Sequence, residues 1–139
     1  MQQGGWFSQY QSQVSLSVGQ TITVTSTSGE YFVVGSPSTS GTASGTLTFT
    51  VTGKLSEGYT LSLTSGSLTI AGTTYTISSG SAQMDPSGMM ISGQGTTTPT
   101  GQFILHAMAH GTFVGTSASV SLDFTNETTE YQVTLSGSV

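Results

Sequence analysis

Both histidines of the chain lie in one short stretch, FILHAMAHGTF over residues 103–113, as His106 and His110 with Met108 midway between them. Strand alternation in GQFILHAMAHGTF sets Phe103, Leu105, Ala107 and Ala109 on one face and Ile104, His106, Met108 and His110 on the other. The first set is apolar and belongs against a core. The second then displays a His-x-Met-x-His row outward on a rigid strand. Imidazole nitrogen binds zinc, copper and nickel, whereas thioether sulfur is a poor ligand for hard ions and selects copper, above all Cu(I). A mixed His and Met donor set predicts a copper site.

Geometry limits what one strand can supply. With a rise of about 3.3 Å per residue, His106 and Met108 stand about 6.6 Å apart, but His106 and His110 about 13 Å apart. A bulge at Gly111, or ligands from another segment, would relieve that span. The run QMDPSGMMI supplies such ligands, gathering Met84, Asp85, Met89 and Met90. The expected centre is His106 with Met108 or His110, completed by Met84 or a neighbouring group of this run. A plainer reading stands beside it. The same side chains would pack against a second layer, the imidazoles satisfied by Ser and Thr hydroxyls and the methionines filling gaps. A third reading of a histidine pair on one strand face is a pH-responsive contact.

The elements that must carry these residues read as strands almost throughout. Apolar residues alternate with Ser, Thr and Gln at Val14, Leu16, Val18; Ile22, Val24; Leu47, Phe49, Val51; Tyr59, Leu61, Leu63; Leu68, Ile70; Tyr75, Ile77; Val120, Leu122, Phe124; and Tyr131, Val133, Leu135. Gly and Ser clusters at VGQT, TSGE, TGKLSEG, TSGS, AGTT and SSGS read as turns. GSPSTSGTASG (35–45) and SGQGTTTPTG (92–101) read as flexible loops. No segment holds the helical period. The expectation is one all-β domain over 1–139, an antiparallel β-sandwich or closed barrel of eight to ten short strands with no long helix. Residues 1–13, with Trp6, Phe7 and Tyr10 in a Gln-rich context, read as an N-terminal arm that packs on the domain or completes a neighbouring copy. Two stretches, TLTFTVTGKLSEGYTLSLTSGS and SVSLDFTNETTEYQVTLSGS, share a strand, turn, Tyr-led strand formula, and each reads as a hairpin.

Composition narrows the partners. Charged residues are only 5% of the 139, and six acids face the single base Lys54, for a formal net charge of −5. A phosphate backbone needs clustered Lys and Arg, so nucleic acid is not expected. No apolar run approaches the roughly 18 residues that span a bilayer, so membrane insertion is not expected either. Met1 begins directly on QQGG without an apolar h-region, so an exported form would have lost its signal peptide. Absence of cysteine removes disulfides and thiolate chemistry. The hydroxyl-rich, charge-poor surface suggests an extracytoplasmic protein, secreted or at the cell surface. Asn126-Glu127-Thr128 is a sequon in a polar turn, suited to glycosylation on export.

Two resemblances follow from particular residues. The spacing of Met84, twenty-one residues, His106, one residue, Met108 resembles the second half of the motif of PCuAC-type periplasmic copper chaperones, small β proteins that carry Cu(I). That resemblance implies Met84, His106 and Met108 as copper ligands. The family's upstream ligand would fall near Thr73, which cannot replace it. GTTYTISSG, inside an extended Gly/Ser/Thr-rich β chain over residues 43–139, resembles small secreted archaeal β proteins, which implies export.

Catalytic signatures are missing. No G-x-S-x-G elbow occurs, Asp85 and Asp123 form no recognisable glycosidase pair, and Gly93 and Gly95 lack the lysine and helix of a phosphate loop. The sequence therefore predicts a non-enzymatic binding module with a copper site at His106, Met108, His110 and Met84. The alternative is a structural subunit of a surface layer, pilus or filament, self-associating through edge strands or the N-terminal arm.

Overall fold

The computed structural model describes residues 16–109 and 117–138. The arm over 1–13 and His110 therefore lie outside the described residues. The described residues form eight strands: β1 Thr21–Val33, β2 Ser36–Leu55, β3 Gly58–Ile70, β4 Thr73–Met84, β5 Met90–Thr98, β6 Gly101–Ala109, β7 Ser117–Asn126 and β8 Glu130–Ser138. Each pairs antiparallel with the next, and β8 returns to β1, closing one ring. Of the two architectures the sequence allowed, this is the closed barrel, so the sandwich is set aside. The strands are long rather than short, with 20 residues in β2.

Alternation explains the closure. Leu47, Phe49 and Val51, Leu61 and Leu63, Leu105, Leu122, Phe124, Val133 and Leu135 all point inward and are buried. An eight-stranded barrel has an interior just wide enough for side chains to fill, and here they fill it. At one end Tyr75 packs on Phe124 with ring centroids 4.5 Å apart, Phe124 lies 6.4 Å from Tyr131, and Tyr131 meets Tyr31 edge-on at 5.5 Å. The turns at 71–72, 99–100 and 127–129 surround that aromatic plug. Leu16 is buried near the opposite end, where its N–H donates to the Tyr59 hydroxyl at 3.3 Å. Val18, expected in the same strand, instead sits exposed in a turn.

Several segments that read as turns or loops are strand. TSGE lies within β1, TSGS within β3 and SSGS within β4, while 36–45 and 92–98 belong to β2 and β5. These clusters mark bends and bulges of a barrel wall, which demand the same small residues as turns. The β1 register slips between Ser26 and Glu30, and the β4 register between Ile77 and Ser79. A Cβ on Gly29 would meet the Thr134 carbonyl oxygen at 2.7 Å. Gly66 has φ +142, a conformation that L side chains rarely adopt, and a Cβ there would clash with the Thr46 carbonyl oxygen. The two hairpins expected over 46–67 and 119–138 are present as β2–β3 and β7–β8.

Candidate functional site

β6 is the clearest two-faced strand. Phe103, Leu105, Ala107 and Ala109 are buried, while Ile104 and Met108 are 52% and 54% exposed and His106 is exposed between them. The alternation read from the sequence is thus the observed one. His106 stands between Ser92 of β5 and Ser121 of β7, and Met108 between Met90 of β5 and Ser119 of β7.

Met90 and Met108 form a close pair. The Ala109 N–H donates to the Met89 carbonyl at 2.9 Å, which makes residues 89 and 109 a hydrogen-bonded pair. Met90 and Met108, one step along, are then the non-hydrogen-bonded kind, in which Cα atoms approach to about 4.5 Å and side chains lie closer. Both thioethers face outward, Met90 being 52% exposed. His106 is the diagonal neighbour of Met90, a separation of roughly 7–8 Å that long side chains bridge. One imidazole and two thioethers therefore share one patch of the outer wall.

Met84 does not join them. It is 2% exposed and points into the barrel, on the opposite side of the wall from His106 and Met108. The cause is the bulge in β4. Tyr75 and Ile77 face inward at odd positions, but the slip between Ile77 and Ser79 moves the inward set to Ala82 and Met84. One extra residue flips every later side chain to the other face. Met84 thus becomes core, and the spacing that linked it to His106 and Met108 connects two sides of one sheet. Met90 takes the place that Met84 was expected to hold. Its signal in the sequence is Pro99-Thr100. A two-residue turn there sets β5 against β6 so that Met90 falls opposite Met108, whereas reading 92–101 as loop hides the pairing.

The turn before Met90 is built around Asp85. Its Oδ1 accepts the N–H groups of Met89 and Met90, each at 3.1 Å, and its Oδ2 accepts the Ser87 hydroxyl. The Asp85 N–H donates to the Met90 carbonyl at 3.1 Å, and the Gly88 N–H to the Asp85 carbonyl at 3.0 Å. Burial pushes the Asp85 carboxyl up. The Ser87 hydroxyl and the backbone N–H groups of Met90, Met89 and Gly88 outweigh that and hold it below its ordinary 3.8. Asp85 is committed to shaping the turn that presents Met89 and Met90, the former 42% exposed.

Among the described residues no three of His, Cys, Asp and Glu gather as metal ligands. The donors that do gather are a nitrogen and soft sulfurs. Beside them, the outer wall of β4–β8 holds a depression of about 680 Å³ lined by Gln94, Gln102, Ile104, Asp123 and Glu130, among others. At the opposite end Asn126 of the sequon is occupied in its turn: its side-chain oxygen accepts the N–H groups of Thr128 at 3.0 Å and Thr129 at 2.8 Å. Comparison of the chain with protein-family models, with curated protein sequences and with solved structures gives no match.

Proposed function

We propose that the protein is a non-enzymatic, extracytoplasmic copper-binding module whose Cu(I) cargo is held by His106, Met108 and Met90. The observation that carries the reading is the β5–β6 register, which sets Met90 directly opposite Met108 with His106 on the same outward face. Two thioethers and an imidazole match the preference of Cu(I) for soft ligands and offer little to zinc or hard ions. Ser92 and Ser121 flank His106 across the strands, hydroxyls suited to orient the ring through its second nitrogen. An outward face rich in hydroxyls around an apolar interior reverses the arrangement of a lipid-spanning barrel, which supports a protein that stays out of the bilayer. The single lysine supports a partner other than nucleic acid.

Anaerobic Cu(I) titration against a competing chelator tests the reading, with Zn²⁺ as contrast. Stoichiometric binding should weaken more than about tenfold in each of His106→Ala, Met108→Ala and Met90→Ala, by comparison with the losses seen when metal-site partners are removed. Met84→Leu should leave it unchanged. Failure of the wild type to compete would end the copper reading.

The second reading is a surface-assembly subunit. Its support is the apolar outward group Met90, Ile104 and Met108, which would suit contact between copies. Strand exchange has less to work with, because each described strand pairs on both sides and the stretch of β2 that runs beyond β3, residues 36–42, contains Pro37. Sedimentation across a concentration series separates the two: a monomer that binds Cu(I) supports the module, and an assembly abolished by Met108→Ser supports the subunit.

A further inference from the structure

The four methionines of the described chain divide sharply. Met84 is 2% exposed, whereas Met89, Met90 and Met108 are 42%, 52% and 54% exposed. Apolar side chains of that size are placed outward only at some cost in solubility, and Thr or Gln serves the same positions elsewhere on the wall. What a methionine offers there that Leu or Ile does not is a nucleophilic sulfur.

We propose that Met90 and Met108 form a reversible modification site for hydrogen peroxide, and that its oxidation empties the copper centre. The copper consequence rests on the reading above; the modification itself does not. A thioether lone pair attacks one peroxide oxygen, the O–O bond breaks as the S–O bond forms, and the departing hydroxide takes up the remaining proton as water. The sulfur loses two electrons and the peroxide gains them. Each sulfoxide commits one of the two sulfur lone pairs to oxygen and leaves a poorer, more polar donor, so the set of one imidazole and two thioethers falls towards His106 alone.

The surroundings permit the product without unfolding. A sulfoxide oxygen on Met108 lies beside the outward Ser119 across β7 and open to water, so its new polarity is satisfied. The same oxygen on Met84 would lie inside the barrel wall, 2% exposed and between Tyr59 and Ile91 of the neighbouring strands, where bulk water does not reach it. Met84 is therefore the internal control, and outward Met90 and Met108 remain accessible to the reductases that return sulfoxide to thioether.

The test uses the full chain, apo and loaded anaerobically with Cu(I), exposed to hydrogen peroxide. Peptide mass spectrometry follows the gain of one oxygen at each methionine. In the apo protein, Met90 and Met108 should oxidise at least about tenfold faster than Met84, since oxidation follows exposure. Chelator competition should show Cu(I) affinity falling with oxidation and returning after treatment with methionine sulfoxide reductases, while the denaturation midpoint stays nearly fixed. Met90→Leu/Met108→Leu should lose the fast phase at these positions and keep the fold. Equal rates at Met84 and the outer pair, or a collapse of the fold as the outer pair oxidises, would overturn the proposal. Selective oxidation that leaves Cu(I) affinity unchanged would overturn its link to copper. Failure of the untreated protein to bind Cu(I) is a different result, sinking the copper reading while the oxidation pattern still decides whether the site exists.

Discussion

The outer wall over β1–β3 and the outer wall over β5–β6 are cut to one backbone pattern and carry opposite chemistry. On the first, hydroxyls bridge neighbouring strands: Thr23 to Thr48 at 3.1 Å, Thr50 to Thr64 at 3.1 Å and Thr52 to Thr60 at 3.0 Å. These side chains support the sheet that displays them, since cross-strand pairs are the unit of sheet stabilisation. On the second, Met90, Ile104, His106 and Met108 face solvent with no such bridge among them. Thr would have served the fold at these positions as well. Side chains that a barrel does not need for its own closure are the ones free to serve something else, and here they are the soft donors.

The largest effect that sharpens this contrast lies between two methionines on opposite sides of the wall. Met84→Ala leaves a cavity in the filled interior and should destabilise the barrel by about 2–5 kcal/mol in denaturant unfolding. Met108→Ala and Met90→Ala should each change stability by no more than about 0.5 kcal/mol, as surface substitutions do. Comparable losses at all three would mean that the outer pair is structural. Next in size comes Gly66. Its φ of +142 and the close Thr46 carbonyl oxygen make Gly66→Ala a strained substitution, worth about 1–3 kcal/mol by the same measurement.

How far the sequence could be read depended on parity. Wherever a strand ran without interruption, alternation was enough. β6 shows it, with Phe103, Leu105, Ala107 and Ala109 inside and Ile104, His106 and Met108 outside. Where a bulge intervened, alternation could not be carried across it. The slip after Ile77 turned Met84 inward, and nothing in SSGS distinguishes a bulge from a turn, because both require small residues. Closure was one of two architectures that alternation left open, and only long-range pairing decides between them. Closure depends on β8 reaching β1, with Gly29 opposite Leu135, a pairing between residues more than a hundred apart. The site was half legible for the same reason: His106 and Met108 share a strand, whereas Met90 reaches them only through register.

Smaller effects probe the hydroxyl wall itself. Thr23→Val keeps the β-branched shape and removes one member of the Thr23–Thr48 bridge, so it should cost about 0.2–1 kcal/mol and leave Cu(I) binding untouched. A loss of copper affinity from that distant substitution would show that the two walls are coupled through the barrel.

The smallest expected effect on stability belongs to Asp85, because burial and hydrogen bonding pull its carboxyl in opposite directions and only the difference remains. The hydrogen bonds win, so the folded-state value lies below the ordinary 3.8 of the unfolded chain. A depressed carboxylate adds stability that is fully present above the unfolded value and is lost as pH falls through the folded one. Wild type should therefore exceed Asp85→Asn by a constant margin at neutral pH, and the margin should shrink only below 3.8. Equilibrium unfolding of the pair across an acid series checks the sign; a margin that instead grew on acidification would place the folded value above the ordinary one. The functional consequence is larger than the energetic one. The carboxylate fixes the N–H groups of Met89 and Met90, and so the β5 half of the thioether pair. Asp85→Ala at neutral pH should weaken Cu(I) binding while barely moving the denaturation midpoint, the mark of a residue that positions a ligand without being one.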